Sequence, residues 1–461
     1  MKRVLLILCL VLSLCFCLAL GACDAPPVSG GGGNGGEGGE GGSGTGGGGG
    51  GQGGSAPCDH DYYVAEVVEP TCKAGGYTLY ACACGDSFRG EETDPLPHTP
   101  GDFVTVTPAG ATTPGLEEQR CTVCDEKLAE RELAPTGSVG LVYEFVASLN
   151  GYRVTGIGSC TDTELAIPAK HEGRPVKQVW KNAFQNNKSI TSVSIPSSVI
   201  SVMESAFYGC TALETVTLSE GLLGIGPGAF CGCTSLAELH MPTTVNSLGT
   251  VAFMNCKSLT AVTISGAISR IPESAFYGCE KLKQVTLPAS LAAIDARAFF
   301  GCSALEEVRM GELVDRIGED AFSNCKSLRE IDLSDQLKRI EQFAFYGCEE
   351  LASVSFGESL EFIGEAAFSG CEKLGDITLP RTLQTIDNGA FRNCNAITHI
   401  TLRGKNLSML GKNCFSSCGA LEAITYGGTM ANWEAIEKEL SWMPIGILII
   451  HCTNGDVRVL H

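Results

Sequence analysis

Cysteine and histidine residues between 56 and 136 carry the clearest chemical potential of the chain. His60, Cys72, Cys82 and Cys84 could together form a tetrahedral His-Cys₃ zinc site, because thiolate and imidazole are the ligands of structural zinc. A second stretch follows, and each stretch begins with His and ends in a close Cys pair with an acidic residue within two positions. We interpret the two stretches as tandem copies of one small module.

The second copy is less complete than the first. It contains His98, Cys121 and Cys124, but Ala111 stands where the first copy has Cys72, so we expect at most three ligands. The C-x-C spacing in the first copy is also less typical of zinc knuckles than the C-x-x-C spacing in the second. Both copies resemble small Cys/His modules found in some clostridial-type surface proteins, where they lie between a membrane anchor and a repeat region.

Disulfides are the alternative to zinc in these modules. They are expected in an exported module that is too small to build a core, and Cys58 would then pair with Cys72 or another partner. Free or mixed thiols are the third possibility. We expect no cofactor in the repeat domain that follows the modules.

The N-terminus has the outline of a secretory signal: Lys2 and Arg3, an apolar run, then small residues. Leu20–Cys23 reads Leu-Gly-Ala-Cys and resembles the lipobox of bacterial lipoproteins. The resemblance implies removal of residues 1–22 and a diacylglyceryl group on Cys23, which would hold the protein on the membrane at the cell surface. The alternative is an ordinary signal peptide in which Cys23 is incidental. Residues 23–55 are largely glycine, which predicts a flexible, disordered tether after the anchor.

A strict repeat begins after the modules. A phenylalanine, in all but the last case preceded by alanine, recurs every 23 residues, and the last step is 24. A fixed period between 20 and 29 residues is typical of a solenoid. The phenylalanines are Phe184, Phe207, Phe230, Phe253, Phe276, Phe299, Phe322, Phe345, Phe368, Phe391 and Phe415.

Other positions keep the same phase. Relative to each phenylalanine, Cys stands at position three in every repeat but the first, which has Asn187 there. Leu or Ile stands at six, apolar residues at nine and eleven, and mostly Ile at eighteen. The alternation near positions nine to eleven predicts a strand with one buried face. We interpret the Cys column as structural, with reduced thiols, because stacked cysteines would have parallel Cβ directions that do not suit disulfides. Cys231 and Cys414 fall outside this column.

The pattern A-F-x-x-C-x-x-L-x-x-V-x-L-P resembles the BspA-like leucine-rich repeats of bacterial surface proteins. The resemblance implies a β-rich α/β solenoid of about eleven repeats, with an N-terminal cap and repeats over residues 137–428. It also implies adhesion to host matrix proteins or other cells, and hence a protein or glycan ligand. Two other functions remain open, a zinc-binding module with the repeats as spacer and a passive envelope component.

Residues 429–461 are expected to cap the last repeat with a helix and a hairpin. Thr429 suits the helix N-cap, and Asn454-Gly455 is a strong signal for a type I′ turn. The helix face expected to be buried consists of Trp433, Ile436 and Leu440.

Catalysis and nucleic-acid binding are not expected. The chain has a formal net charge of −20, whereas phosphate backbones need clustered Lys and Arg. It has no G-x-S-x-G, H-E-x-x-H or P-loop motif, and the period has no insertion between Phe184 and Phe391 that could build a pocket. The histidines of the repeat region share no spacing: His171, His240, His399, His451 and His461.

The outward side chains of the predicted sheet are the remaining candidate for a functional surface. Positions seven, eight and ten after each phenylalanine point outward, and position ten is mostly Ser or Thr, interrupted by charge. The alternative is that the charges are ordinary solvated strand residues. The most distinctive patch consists of Glu306, Glu307, Arg309, Arg329, Glu330 and Asp332.

Overall fold

The computed structural model describes residues 60–111, 113–133 and 135–460. These residues divide into two compact units, one made of 60–70 and Gly75–Asp94, the other of Thr71–Ala74 and 95–460. Cys23, the glycine-rich tether and Cys58 lie outside the described residues. Within the described chain, no helix is long and apolar enough to cross a bilayer.

Two small antiparallel sheets of three strands form the module region. In each sheet the strands follow chain order, β1-β2-β3 in the first and β4-β5-β6 in the second. Their bounds are β1 (Tyr62–Val68), β2 (Tyr77–Cys82), β3 (Ser87–Gly90), β4 (Pro100–Thr107), β5 (Gly115–Cys121) and β6 (Lys127–Leu133).

The described residues that follow the modules form a solenoid of about 13 turns, two more than the eleven phenylalanine repeats because both flanks add strands in the same stacking direction. Each turn contributes one strand to each of two parallel arrays. Strands of the first array, the long-strand face, lie eight to eleven residues after the phenylalanine. They are β9 (Glu164–Ala166), β12 (Ser192–Ile195), β14 (Thr215–Leu218), β16 (Glu238–Met241), β18 (Ala261–Ile264), β20 (Gln284–Thr286), β22 (Glu307–Arg309), β24 (Glu330–Asp332), β26 (Ser353–Ser355), β28 (Ile377–Leu379), β30 (His399–Leu402), β32 (Ala423–Tyr426) and β34 (Ile447–Cys452).

The second array, the short-strand face, lies seventeen and eighteen residues after each phenylalanine. Pairing is in phase with the repeat, as in Ile271 opposite Ile294. Its strands are β8 (Gly151–Gly156), β11 (Arg174–Val179), β13 (Ser201–Val202), β15 (Gly224–Ile225), β17 (Ser247–Leu248), β19 (Arg270–Ile271), β21 (Ala293–Ile294), β23 (Arg316–Ile317), β25 (Arg339–Ile340), β27 (Phe362–Ile363), β29 (Thr385–Ile386), β31 (Met409–Leu410) and β33 (Glu437–Lys438).

The repeat phenylalanines form one continuous column inside the solenoid. Successive rings from Phe184 to Phe415 stack nearly parallel, with centroids 5.0–5.7 Å apart. All of these side chains are buried, as are the cysteines at position three, the residues at position six and most residues at position eighteen, where Leu248 is only partly buried. The prediction of a layered core is therefore confirmed. A further buried column at position fifteen, which includes Leu222 and Leu291, was not predicted.

Two left-handed residues shape the turn around each phenylalanine. The residues two before and two after it have positive φ in every repeat, for example Val251 at 51° and Asn255 at 59°. Gly and Asn dominate the second position, since they adopt this conformation at the lowest cost. The tight turn lets one rung bond directly to the next, as when the Phe207 N–H donates to the Ala229 carbonyl at 2.8 Å.

Additional elements close both ends of the solenoid. At the start, β7 (Val142–Val146) pairs antiparallel with β8, a 3₁₀ turn spans Ala147–Leu149, and β10 (Lys170–His171) pairs with β11. At the other end, β35 (Gly455–Leu460) pairs antiparallel with β34.

The C-terminal helix is present but shorter than predicted. Helix α1 covers only Met430–Glu434, with a capping box at Thr429. Trp433 and Ile436 are buried as expected, whereas Leu440 is 84% exposed. The expectation for Leu440 was wrong because the chain leaves the helix to form β33, which pairs with β31.

The hairpin exists, but its turn lies one residue earlier than predicted. Cys452 pairs with Gly455, so Thr453 and Asn454 form the two-residue loop. Asn454 does not have the positive φ that a type I′ turn needs there, whereas Gly455 has φ 140°.

Candidate functional site

Each module places its histidine beside its cysteine pair. The histidine lies two residues before the start of the first strand, and the cysteine pair begins at the last residue of the second strand. In the first module Tyr62 pairs with Cys82, and in the second Pro100 pairs with Cys121. This antiparallel register brings residues far apart in sequence to one end of the sheet, and the arrangement is the same in both modules.

The first group consists of His60, Cys82 and Cys84, whose ligand atoms lie within 4.8 Å of one another. The Cys84 Sγ is 3.5 Å from Nδ1 of His60. The Asp86 carboxylate accepts a hydrogen bond of 2.6 Å from the Tyr62 hydroxyl, and this bond is the main reason that the pKa of Tyr62 is raised to about 12. The same carboxylate lies 3.8 Å from His60.

The second group has four members, Cys72, His98, Cys121 and Cys124, again within 4.8 Å of one another. The Sγ atoms of Cys72 and Cys121 are 4.0 Å apart, and the Cys124 Sγ is 3.4 Å from Nδ1 of His98. The Glu126 carboxylate lies 3.6 Å from Nε2 of that histidine.

The grouping of Cys72 differs from the sequence prediction. Cys72 was expected to join His60, Cys82 and Cys84, and the second copy was expected to have at most three ligands. Cys72 instead lies in the loop Thr71–Ala74, which packs with the second module and completes its set of four. Metal ligands counted within each sequence stretch could not show that Cys72 belongs with the second module. The C-x-x-C spacing of Cys121 and Cys124 is, however, the stronger zinc signal in the sequence.

A knuckle-like turn surrounds the second cysteine pair. The backbone N–H groups of Val123 and Cys124 donate hydrogen bonds to the Cys121 sulfur. These bonds, that from Val123 most strongly, lower the pKa of this thiol to about 6. The Cys121 N–H donates to the Glu126 carbonyl at 2.8 Å, and Asp125 closes the turn with φ 62°. In contrast, hydrogen bonding to Cys124 raises the pKa of the Cys72 thiol to about 11.

The cysteines of the solenoid have a different environment. Each thiol of the column donates to the carbonyl of a phenylalanine in the preceding repeat, with Sγ···O distances of 3.0–3.3 Å. All of them are free and fully buried, so burial raises the pKa of their thiols, to about 12 for Cys279 and Cys348. The prediction of structural, reduced thiols agrees with this arrangement.

The charged patch lies on the long-strand face. Glu306 and Glu307 are half-buried, whereas Arg309, Arg329, Glu330 and Asp332 are exposed. Arg309 pairs with Glu307 at 2.7 Å, and Arg329 approaches Glu306 at 3.9 Å.

Four of the six patch residues line one open groove, while Arg309 and Asp332 lie outside it. The groove crosses four successive repeats at positions seven and eight. Its lining consists of Thr260, Ala261, Lys283, Gln284, Glu306, Glu307, Arg329 and Glu330.

The described histidines of the repeat region lie apart, in different turns. Their neighbours are ordinary surface groups, such as Asp376 at 3.8 Å from His399 and Asp456 at 2.9 Å from His451. His461 lies outside the described residues.

Several solved structures of leucine-rich-repeat or surface proteins align with this chain. A leucine rich cell surface protein from Faecalibacterium prausnitzii is 26% identical over 67% of this chain and 99% of its own, with a TM-score of 0.41. A leucine-rich repeat protein from Bacteroides ovatus is 24% identical over 66% and 97%, with a TM-score of 0.37. The pneumococcal vaccine antigen PcpA is 20% identical over 77% and 88%, with a TM-score of 0.43.

A search of curated proteins found no match. The family model for the BspA type leucine rich repeat region, in contrast, matches residues 177–306, 220–329 and 315–436, which together span more than half of the chain. The matched residues include the phenylalanine and cysteine columns from Phe184 to Cys418. The chain therefore belongs to the BspA-type leucine-rich-repeat family.

Proposed function

We propose that this protein displays its solenoid at the cell surface and binds an extracellular protein or glycan with the long-strand face. The groove across four repeats carries this proposal. Side chains that point inward are nearly the same in every turn, whereas those that line the groove differ from turn to turn. A surface of this kind can vary in chemistry without changing the core that supports it.

The groove presents a mixed set of polar groups rather than one sign of charge. Lys283 and Arg329 offer cationic donors, Glu306 and Glu330 offer carboxylates, and Gln284 offers an amide. Consecutive strands are about 4.8 Å apart, so these groups recur at a short, regular spacing. This spacing suits an extended ligand with repeated hydrogen-bonding groups, such as a peptide segment or a glycan chain.

The residues that neighbour Arg329 suggest which changes to test. Arg329 is exposed and only 3.9 Å from Glu306, a pair that contributes little to stability at the surface. Changing Arg329 and Glu330 to alanine should therefore alter the groove and leave the fold intact. Arg339 and Glu341, a pair 3.1 Å apart on the short-strand face, provide a matched control.

A binding screen of the full chain against matrix proteins, mucins and envelope glycans tests this proposal. We expect saturable binding to at least one class, weakened tenfold or more by Arg329→Ala with Glu330→Ala. Arg339→Ala with Glu341→Ala should bind as the unchanged chain does. Absence of saturable binding would favour a passive envelope component. Equal losses of affinity in both variants would contradict binding through the groove.

The lipid anchor is a separate part of the proposal. The motif Leu20–Cys23 supports a diacylglyceryl group on Cys23, and the glycine-rich segment after it would separate the solenoid from the membrane. Metabolic labelling with a fatty acid should therefore label the protein and fail to label Cys23→Ser. Equal labelling of both would exclude Cys23 as the lipidated residue.

A further inference from the structure

We propose that Cys72, His98, Cys121 and Cys124 bind one zinc ion as a closed structural site. This site is independent of ligand binding by the solenoid. Cys₃His is one of the common ligand sets of structural zinc, and the four ligand atoms lie within 4.8 Å of one another. A complete set of four protein ligands leaves no open position for a substrate, so the site is structural rather than catalytic.

The spacing of the ligand atoms fits a tetrahedron around zinc. With Zn–S bonds of about 2.3 Å, sulfur atoms at two corners are about 3.8 Å apart, and a sulfur and a nitrogen are about 3.6 Å apart. The Cys72 and Cys121 sulfurs are separated by 4.0 Å, and the Cys124 sulfur and His98 Nδ1 by 3.4 Å. A disulfide between the first two would need a separation of about 2.05 Å.

The surroundings of the four ligands also fit a metal. Nδ1 of His98 faces Cys124, and its Nε2 faces the Glu126 carboxylate at 3.6 Å, which is the usual second partner of a zinc-bound imidazole. The turn after Cys121 directs backbone N–H groups of Val123 and Cys124 at its sulfur, which would offset part of the charge of three thiolates.

The module has little else to hold it together. Among the described residues 60–111 and 113–133, the only buried apolar side chains are Cys72, Cys82 and Cys121. Large apolar side chains in this region are exposed instead, among them Val104 at 65% and Val123 at 72%. Small domains without a hydrocarbon core usually depend on disulfides or a metal, and here the buried sulfurs converge on a four-ligand cluster.

The loop Thr71–Ala74 gives the site a defined mechanical role. This loop connects β1 to β2, yet it packs with the second module, where the Leu96 N–H donates to the Thr71 carbonyl at 2.9 Å. Bound zinc would fix Cys72, and with it the loop, to the ligands of β4–β6. Loss of the metal should release the loop while the solenoid, which has its own core, remains folded.

Zinc content and cobalt spectroscopy of the full chain test the site. The chain is purified with zinc, dialysed, and analysed for metal and for free thiols after denaturation. Cys72→Ser should contain one zinc per chain less than the unchanged protein, while Cys72→His, which keeps a ligand, should retain it. Cys452→Ser alters a half-buried cysteine of β34 outside both groups and should have no effect.

Cobalt(II) bound to the unchanged chain provides a readout that does not depend on any variant folding. We expect the intense visible bands of a tetrahedral, thiolate-bound ion, and their displacement by zinc. Equal zinc content in the unchanged chain and Cys72→Ser, or a Cys72–Cys121 disulfide in the purified protein, would overturn the proposal.

Discussion

Cysteine has opposite surroundings in the modules and in the solenoid. In the solenoid each thiol lies in a hydrocarbon core and donates to a backbone carbonyl 3.0–3.3 Å away. In the second module the sulfurs of Cys72 and Cys121 face each other at 4.0 Å, with His98 and Cys124 beside them.

This difference shows how one residue type acquires two roles. Where a repeat supplies enough apolar side chains, cysteine behaves as a small buried apolar residue that fills the space between rungs. Where a sheet supplies almost none, cysteine and histidine are the groups that can be drawn together by a metal. The amount of hydrocarbon core around the sulfur, rather than the cysteine spacing alone, separates the two.

Alkaline pH should distinguish the two kinds of thiol most strongly. Burial raises the pKa of Cys279 and Cys348 from about 9 to about 12 in the folded state. Their contribution to stability is therefore complete below pH 9 and is lost as pH rises from 9 towards 12. Each buried thiol should reduce the free energy of unfolding by about 1.4 kcal/mol per pH unit in this range.

Urea unfolding at several pH values measures this loss. The double variant Cys279→Ala with Cys348→Ala should be less stable than the unchanged chain at pH 7. Above pH 9 its free energy of unfolding should fall less steeply with pH, because up to two fewer protons are lost on unfolding. The variant Cys452→Ser should reduce the slope by at most one proton, because it removes a single half-buried thiol whose pKa is also raised by burial. An unchanged slope in the double variant would mean that these thiols are ionised as easily in the folded solenoid as in the unfolded chain.

Removing one ring from the phenylalanine column should give the largest effect of a single substitution. Phe299 is fully buried and stacks on rings 5.4 Å and 5.3 Å away, so Phe299→Ala should lower the free energy of unfolding by about 3–5 kcal/mol. Phe300 is partly exposed and stacks on the surface residue Tyr277, so Phe300→Ala is a neighbouring control. Equal losses in urea denaturation would contradict a continuous buried column.

Relieving backbone strain in one turn should have a smaller effect of the opposite sign. Val251 is β-branched and has φ 51°, whereas the corresponding residue of the preceding repeat is Gly228 at 60°. Val251→Gly should therefore raise stability by about 0.5–1 kcal/mol, because the left-handed cost exceeds the entropy cost of glycine. Thr250, one residue away, has no positive φ, so Thr250→Gly should lower stability. Thermal unfolding of both variants shows whether the two changes in stability have opposite signs.

The surface charges should matter least for stability. Arg309 is 75% exposed at its side chain and pairs with Glu307 at 2.7 Å, so Arg309→Ala should change the free energy of unfolding by less than about 0.5 kcal/mol. Chemical denaturation measures this change. A loss above 2 kcal/mol would mean that the outer face is part of the stabilising structure rather than a variable surface.

The 23-residue period predicted the core of the solenoid well because every turn repeats the same environment. The Phe, Ala and Cys columns were all recovered in this way. The Gly and Asn residues two positions after each phenylalanine, such as Gly278, were visible in the sequence but not interpreted as left-handed positions. Two positions before it, residues as different as Val251, Arg297 and Phe343 share the same conformation, so composition gives no signal there.

The module region was less predictable because it does not repeat exactly. The Cys and His residues that cluster were named from the sequence, but the group that Cys72 joins depends on the course of one loop. Spacing along the chain assigns a residue to its nearest neighbours, whereas the loop Thr71–Ala74 packs with strands that follow it in sequence. Leu440 shows the same limit of sequence patterns. The helical periodicity of the sequence extends to Leu440, but the chain leaves the helix after Glu434 and forms β33.

Thiol labelling of the native full chain, mapped by peptide mass spectrometry with and without a strong zinc chelator, tests the contrast between the two regions most directly. We predict that the cysteines of the solenoid column stay unlabelled in both conditions until the chain is unfolded. Cys72, Cys121 and Cys124 should be protected at first and labelled rapidly once the chelator is added. Labelling of the column in the native state, or module thiols that react equally with and without chelator, would contradict the account.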